Sequence, residues 1–123
     1  MQQLSEMELE IMKLVWAAPE PVTLFSALME QLAARGRPCQ KNALIVLLSR
    51  LCAKGFLRAH KVGRRNEYTP LISQEEYRAA QTRSFVGRIY EGNVKGLISH
   101  LIEAEPLTDE EYRELYALLQ KRQ

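Results

Sequence analysis

The sequence predicts a mainly α fold with one β-hairpin set in its middle. Three observations predict it. Three stretches with apolar residues at helical spacing precede Gly55 and are separated by prolines and glycines. Two short extended runs then flank the segment "VGRRN". Three further amphipathic stretches follow, and two of them begin with capping boxes.

The first helix opens at Ser5-Glu6-Met7-Glu8, where a serine is followed three residues later by a glutamate. Met7, Ile11, Leu14 and Val15 share one face, and Pro19 and Pro21 end the helix. Thr23 is the expected N-cap of a second helix running to about Ala34, with Leu24, Leu28 and Leu32 at helical spacing. "RGRP" (Arg35 to Pro38) is a turn. The third helix spans about Lys41 to Lys54 and stops at Gly55, the residue type favoured just past a helix end. "FLRAHK" (Phe56 to Lys61) and "NEYTPL" (Asn66 to Leu71) read as the two hairpin strands, with Pro70 confined to an edge or an end. Three helices and then a hairpin is the order of a winged helix-turn-helix, here residues 1–72.

Residues 73–123 read as a helical region. "SQEE" (Ser73 to Glu76) opens a long helix to about Tyr90, "LISHLIEA" (Leu97 to Ala104) continues as an apolar helix, and Thr108 with Glu111 opens the last one. Their apolar groups are Tyr77, Phe85, Ile89, Tyr90, Leu97, Leu101, Leu115, Leu118 and Leu119. Three amphipathic helices are too few to close a core alone. The economical solution is a twofold homodimer, and folding back onto the first domain is the alternative.

At 123 residues, with 46% hydrophobic and 26% charged residues, the composition is that of a globular protein. No apolar run is long enough to span a membrane, and the N-terminus lacks the pattern of a signal peptide, so a cytoplasmic location is expected. Cys39 and Cys52 read as free buried thiols, without metal-ligand spacing. His60 and His100 stand alone, with no nucleophile, paired acids or phosphate loop nearby in sequence. No cofactor, no metal and no enzyme activity are expected.

The net charge of +2 conceals an asymmetry. Arg35, Arg37, Lys41, Arg50, Lys54, Arg58, Lys61, Arg64 and Arg65 fall in a stretch that contains no acidic residue. Such a concentration is the footprint of a polyanion-binding surface, although a solvated basic face would look the same. Laid out at ~100° per residue, the third helix places Leu44, Leu47, Leu48 and Leu51 on one side. Asn42, Val46, Ser49 and Ala53 lie opposite, with Ile45 and Arg50 on the flanks. In a winged helix that opposite face enters the major groove of double-stranded DNA. Asn42 suits an adenine edge, Ser49 a base or phosphate, and Ala43, Ile45 and Val46 a thymine methyl. Lys41, Arg50 and Lys54 along the helix, and Lys61, Arg64 and Arg65 on the hairpin, suit phosphates, which position a protein without choosing sequence. Arg50 has a second reading, as a brace of the helix against its own domain.

Five ordered segments carry a family resemblance across nearly the whole chain. They are "EIMKLVW" (Glu10 to Trp16), "PVT" (Pro21 to Thr23), "LLSRLCAKGFLRAHKVGRRNEYTPLIS" (Leu47 to Ser73), "FVGRIYEGNVKGLISHLIE" (Phe85 to Glu103) and "LTDEEYREL" (Leu107 to Leu115). Together they resemble the penicillinase-repressor family, which includes the methicillin-resistance and copper-responsive repressors. The resemblance implies a homodimeric repressor of a palindromic operator. In antibiotic-sensing members it also implies a membrane-bound sensor protease as partner, with cleavage at an Asn-Phe bond. The matching position here is His100-Leu101, which departs from that pattern. The cysteine cluster of copper-responsive members is also missing, since no cysteine follows Cys52. Family members tend to carry polar groups near positions 43, 45 and 46, where this chain has Ala43, Ile45 and Val46. That departure motivates the alternative function, a winged-helix interaction module that has lost base reading and pairs with a related repressor.

Overall fold

The structure, a computed structural model, describes residues 1–104 and 106–122. Its elements in chain order are α1 (Glu6–Ala17), β1 (Thr23–Leu24), α2 (Phe25–Ala34), α3 (Lys41–Ala53), β2 (Leu57–Val62), β3 (Arg65–Pro70), α4 (Gln74–Ile89), α5 (Val94–Ala104) and α6 (Asp109–Gln120). They form two compact units, Met1–Gln81 and Thr82–Gln123, with α4 contributing to both.

The first unit is built on three helices and a three-stranded sheet of order β1-β3-β2. Ser5 and Glu8 close a reciprocal capping box at the start of α1, which satisfies two helix-end donors that would otherwise lack partners. Ile11 and Met12 of α1, Leu28 and Leu32 of α2, and Leu44, Leu48 and Leu51 of α3 meet in one core under Phe56 and Leu57. Leu47 sits at the rim of this core rather than in it. Both α2 and α3 end in a glycine with positive φ, Gly36 at +76° and Gly55 at +84°. At α3, the Gly55 amide donates to the Cys52 carbonyl and the Phe56 amide to that of Leu51. This is the Schellman arrangement, and it satisfies the last carbonyls of the helix.

Thr23 does not cap α2. It is buried in β1 opposite Tyr68, and the cap position belongs to Leu24, which has no side-chain acceptor to offer. The β-branched Thr23 fits a pleated surface, and a third strand had a partner available in β3. Sequence pattern gave no sign of β1, which is only two residues long. In the hairpin, Val62 faces Arg65, leaving Gly63 and Arg64 as a two-residue turn. Gly63 has φ +63° and Arg64 is not in the positive region, the pattern of a type II′ turn with glycine first. Pro70 lies at the end of β3, opposite Leu57, where a missing donor interrupts little.

Tyr77 was expected at a dimer face and is instead part of the first unit's core. Its ring stands edge-on to Phe56 at 5.5 Å and lies 5.9 Å from Trp16, and its hydroxyl accepts from the Leu4 amide at 3.0 Å. The reason is chemical: a tyrosine one turn into α4 can bury its ring and still satisfy its hydroxyl. Trp16 is only partly buried, and its indole N–H donates to the Ile72 carbonyl at 2.9 Å. The first unit therefore continues past residue 72 into α4.

In the second unit, α4 and α5 are separated by Glu91 at φ +51° and Gly92 at φ +83°. The Tyr90 hydroxyl and His100 Nδ1 are 2.8 Å apart and link the two helices. Thr108 and Glu111 form the expected capping box of α6. Neither α5 nor α6 has a buried residue among those described. Phe85, Ile89, Leu101, Leu115, Leu118 and Leu119 are all exposed, while Tyr90 and Leu97 are half-buried. No helix among the described residues is long and apolar enough to cross a membrane.

Candidate nucleic-acid interface

The buried leucine stripe of α3 fixes which face the helix turns outward. Leu44, Leu48 and Leu51 point into the core, so Lys41, Asn42, Ala43, Ile45, Val46, Ser49 and Arg50 are exposed. Ile45 and Val46 each expose 47% of their surface. Two large apolar side chains on the outward face of a core helix are unusual, because water is a poor solvent for them.

The hairpin brings its basic tip to the start of this helix. Lys41 and Ile45 of α3, Leu24, Phe25 and Ser26 at the start of α2, and Arg64, Arg65 and Asn66 of the hairpin line one cleft of about 270 Å³. Lys61, Arg64 and Arg65 are all exposed. The cleft is thus edged by three cations from two elements, Lys41, Arg64 and Arg65, with an aliphatic side chain among them. Such a surface attracts phosphate oxygens through long-range field and charge-assisted hydrogen bonds. Sequence reasoning missed Ser26 and Asn66 here. Their signal is tertiary, since neither spacing nor composition separates them from other surface polar residues.

Other basic residues of the same stretch do not join this surface. Arg37 donates to Glu6 at 2.6 Å, and Arg35 lies 3.6 Å from Glu10, so both tie the α2–α3 turn to α1. Lys54 was expected to meet phosphate along the helix. Its Nζ instead lies 2.7 Å from Oε1 of Glu8, a residue only 1% exposed. The same Oε1 accepts from the Ser5 amide at 2.8 Å. Burial pushes the Glu8 carboxyl up, but the hydrogen bonds from Lys54 and Ser5 outweigh it and hold the group below its usual 4.5. Lys54 is held there because a buried carboxylate needs a counter-charge more than an exposed helix end needs one. Arg50 is exposed, with no ion-pair partner among the described residues.

No cluster of three or more histidine, cysteine, aspartate or glutamate side chains suited to a metal occurs among the described residues. Cys39 and Cys52 are free and half-buried, and burial pushes the Cys52 thiol up, away from thiolate chemistry. His60 is exposed on β2, and His100 Nδ1 lies 2.8 Å from the Tyr90 hydroxyl.

The family model described as penicillinase repressor matches residues 4–121. The chain belongs to that family. The penicillinase repressor of Bacillus licheniformis is 34% identical over 119 residues, covering 97% of this chain and 91% of its own length. The methicillin resistance regulatory protein MecI of Mammaliicoccus sciuri is 23% identical over 120 residues, covering 98% of this chain and 95% of its own. Among solved structures, the DNA-binding domain of the repressor BlaI is similar with a TM-score of 0.52 at 32% identity, covering 61% of this chain and 88% of that one. Monomeric Bacillus licheniformis BlaI in complex with the blaP half-operator has a TM-score of 0.50 at 32% identity, covering 62% of this chain and 89% of that one. A repressor family is not an enzyme family, in keeping with the absence of a catalytic constellation in the sequence.

Proposed function

We propose that this protein is a DNA-binding transcriptional repressor that places α3 in the major groove and its hairpin along the backbone. The observation that carries the reading is the convergence of the outward face of α3 and the basic hairpin tip on one cleft. Membership of the penicillinase repressor family supports it, as does the likeness to BlaI bound to its half-operator. Asn42, Ala43, Ile45, Val46 and Ser49 are the base side. Lys41, Arg50, Lys61, Arg64 and Arg65 are the phosphate side. The exposed apolar faces of α5 and α6 support a homodimer acting on a palindromic operator. The cytoplasm is the compartment in which such a regulator meets DNA. A sensor protease is no part of this proposal, because the position of the family's cleaved bond holds His100-Leu101.

The interaction-module alternative is not favoured. A module that had abandoned DNA would have no use for a cationic hairpin tip held beside an exposed recognition helix. The test is titration of the full chain onto a duplex enriched from a random pool, at several salt concentrations. Arg64→Ala with Arg65→Ala is expected to weaken binding to operator and random DNA alike. The slope of log K against log salt should fall by about 0.9 for each phosphate that is no longer neutralised. Unchanged affinity and slope would overturn the phosphate role of the hairpin. No preference of the wild-type protein for any duplex would overturn the repressor reading.

A further inference from the structure

We propose that the Glu8–Lys54 pair is a positioning device that sets the tilt of α3, so that Lys54 serves sequence choice without touching DNA. The inference rests on the DNA-binding reading above. Lys54 is the C-cap residue of α3, and its ammonium reaches back to Glu8 in the first turn of α1. The pair thus ties one end of the base-reading helix to the helix that carries Ile11, Met12, Leu14 and Val15 in the core.

Glu8 is held in a defined direction as well as buried. It is 1% exposed, its Oε1 accepts from both Ser5 and Lys54, and its Oε2 is buried with no hydrogen-bond partner. Only Glu8 is buried, since the Lys54 side chain is a quarter exposed, and the 2.7 Å contact between them sets a distance between the first turn of α1 and the end of α3. The leucine stripe supplies the complementary constraint. Apolar burial is non-directional, so Leu44, Leu48 and Leu51 decide which face of α3 is inward and leave its tilt less defined.

Tilt matters because of the lever. A 13-residue helix is about 20 Å long, so a tilt of about 10° moves one end by roughly 3 Å relative to the other. A hydrogen bond to a base edge is broken by a smaller displacement than that. Phosphate contacts made by long, exposed lysines and arginines tolerate it. Loosening the pair is therefore expected to cost operator recognition while sparing non-specific binding.

The experiment compares wild type, Glu8→Gln, Lys54→Gln and Lys54→Arg in the full chain. The probes are the duplex enriched by the wild-type protein from a random pool and a scrambled duplex of equal length. Lys54→Gln removes the ammonium and is one atom shorter, so it loosens the tie to Glu8, while circular dichroism and a thermal melt establish the folded fraction of each variant. The expected result is a tenfold or greater drop in preference for the enriched duplex with Glu8→Gln and Lys54→Gln. Affinity for scrambled DNA and the salt slope should stay unchanged, and Lys54→Arg should retain most of the preference. A salt slope lowered by about 0.9 per protomer in Lys54→Gln would make Lys54 a phosphate contact and overturn the proposal. Preference unchanged in both charge-removing variants would reduce the pair to a structural contact and overturn it too. If the wild type itself shows no preference, the repressor reading fails first, and the positioning role falls with it.

Discussion

On the proposed base side, Ile45 and Val46 would decide what kind of sequence the protein can choose. Hydrogen-bonding side chains distinguish bases through donors and acceptors, whereas an aliphatic side chain in the major groove can favour only the thymine methyl. Both residues are exposed and stand one helical turn from Asn42 and Ser49, which would supply the polar contacts in the proposed complex. Replacing single thymines by uracil in the enriched duplex removes one methyl and leaves every hydrogen-bonding edge intact. Each contacted position should cost about 0.8 kcal/mol, roughly fourfold in affinity, which is the transfer value of one buried methyl or methylene group. Ile45→Ser or Val46→Ser should abolish that sensitivity at one of those positions. If no thymine shows a methyl effect, apolar readout by these residues is wrong.

Individual elements were legible in the sequence wherever their signals were local. The capping boxes at Ser5 and Thr108, the terminating Gly55 and the hairpin around Gly63 all depend on residues within a turn or two of one another. What could not be read were pairings between distant segments. β1 consists of two residues that become a strand only because β3 lies beside them. Tyr77 looks like one more apolar group on α4 until the ring positions of Phe56 and Trp16 are known. Lys54 resembles the other cations of α3, and its partner lies 46 residues earlier in the chain. The basic stretch, uniform in the sequence, therefore separates in the fold into an outward set and a set tied to α1.

The link between α1 and α3 also predicts an acid dependence of stability. The folded chain holds the Glu8 carboxyl below its ordinary 4.5, because Lys54 and Ser5 hydrogen-bond the charged form. A depressed folded value means that this stabilisation is fully present above about 4.5 and is lost as pH falls through the folded value. Removing the charge leaves Lys54 against a neutral amide, a change worth about 1–3 kcal/mol for a buried hydrogen-bonded partner. Urea midpoints of wild type and Glu8→Gln should differ by a constant amount at neutral pH, then converge as the pH falls below the ordinary carboxyl value of 4.5. A gap that stays constant or widens in acid would contradict the assigned direction.

At the scale of the whole molecule, α5 and α6 of the second unit have no buried residue among those described. Leu118 and Leu119 expose 59% and 62% of their surfaces, and Ile98, Leu101, Ile102, Leu107 and Leu115 surround a further cleft of about 270 Å³. Apolar side chains exposed in such number are rarely left open to water in a monomeric protein. In the homodimer proposed above, a second copy of the same chain would cover this surface. In a twofold dimer the two recognition helices would meet half-sites set apart by the helical repeat of DNA. Joining them converts the second half-site contact into an intramolecular event, so affinity for a full operator should exceed that for a half-site by orders of magnitude. Leu118→Glu with Leu119→Glu places two charges on that face and should yield a monomer by sedimentation at micromolar concentration. The same variant should bind an isolated half-site as wild type does, while losing its advantage on the full operator, because α3 and the hairpin belong to the other compact unit. A wild-type protein that sediments as a monomer at that concentration, or a double variant that remains dimeric, would place the assembly surface elsewhere.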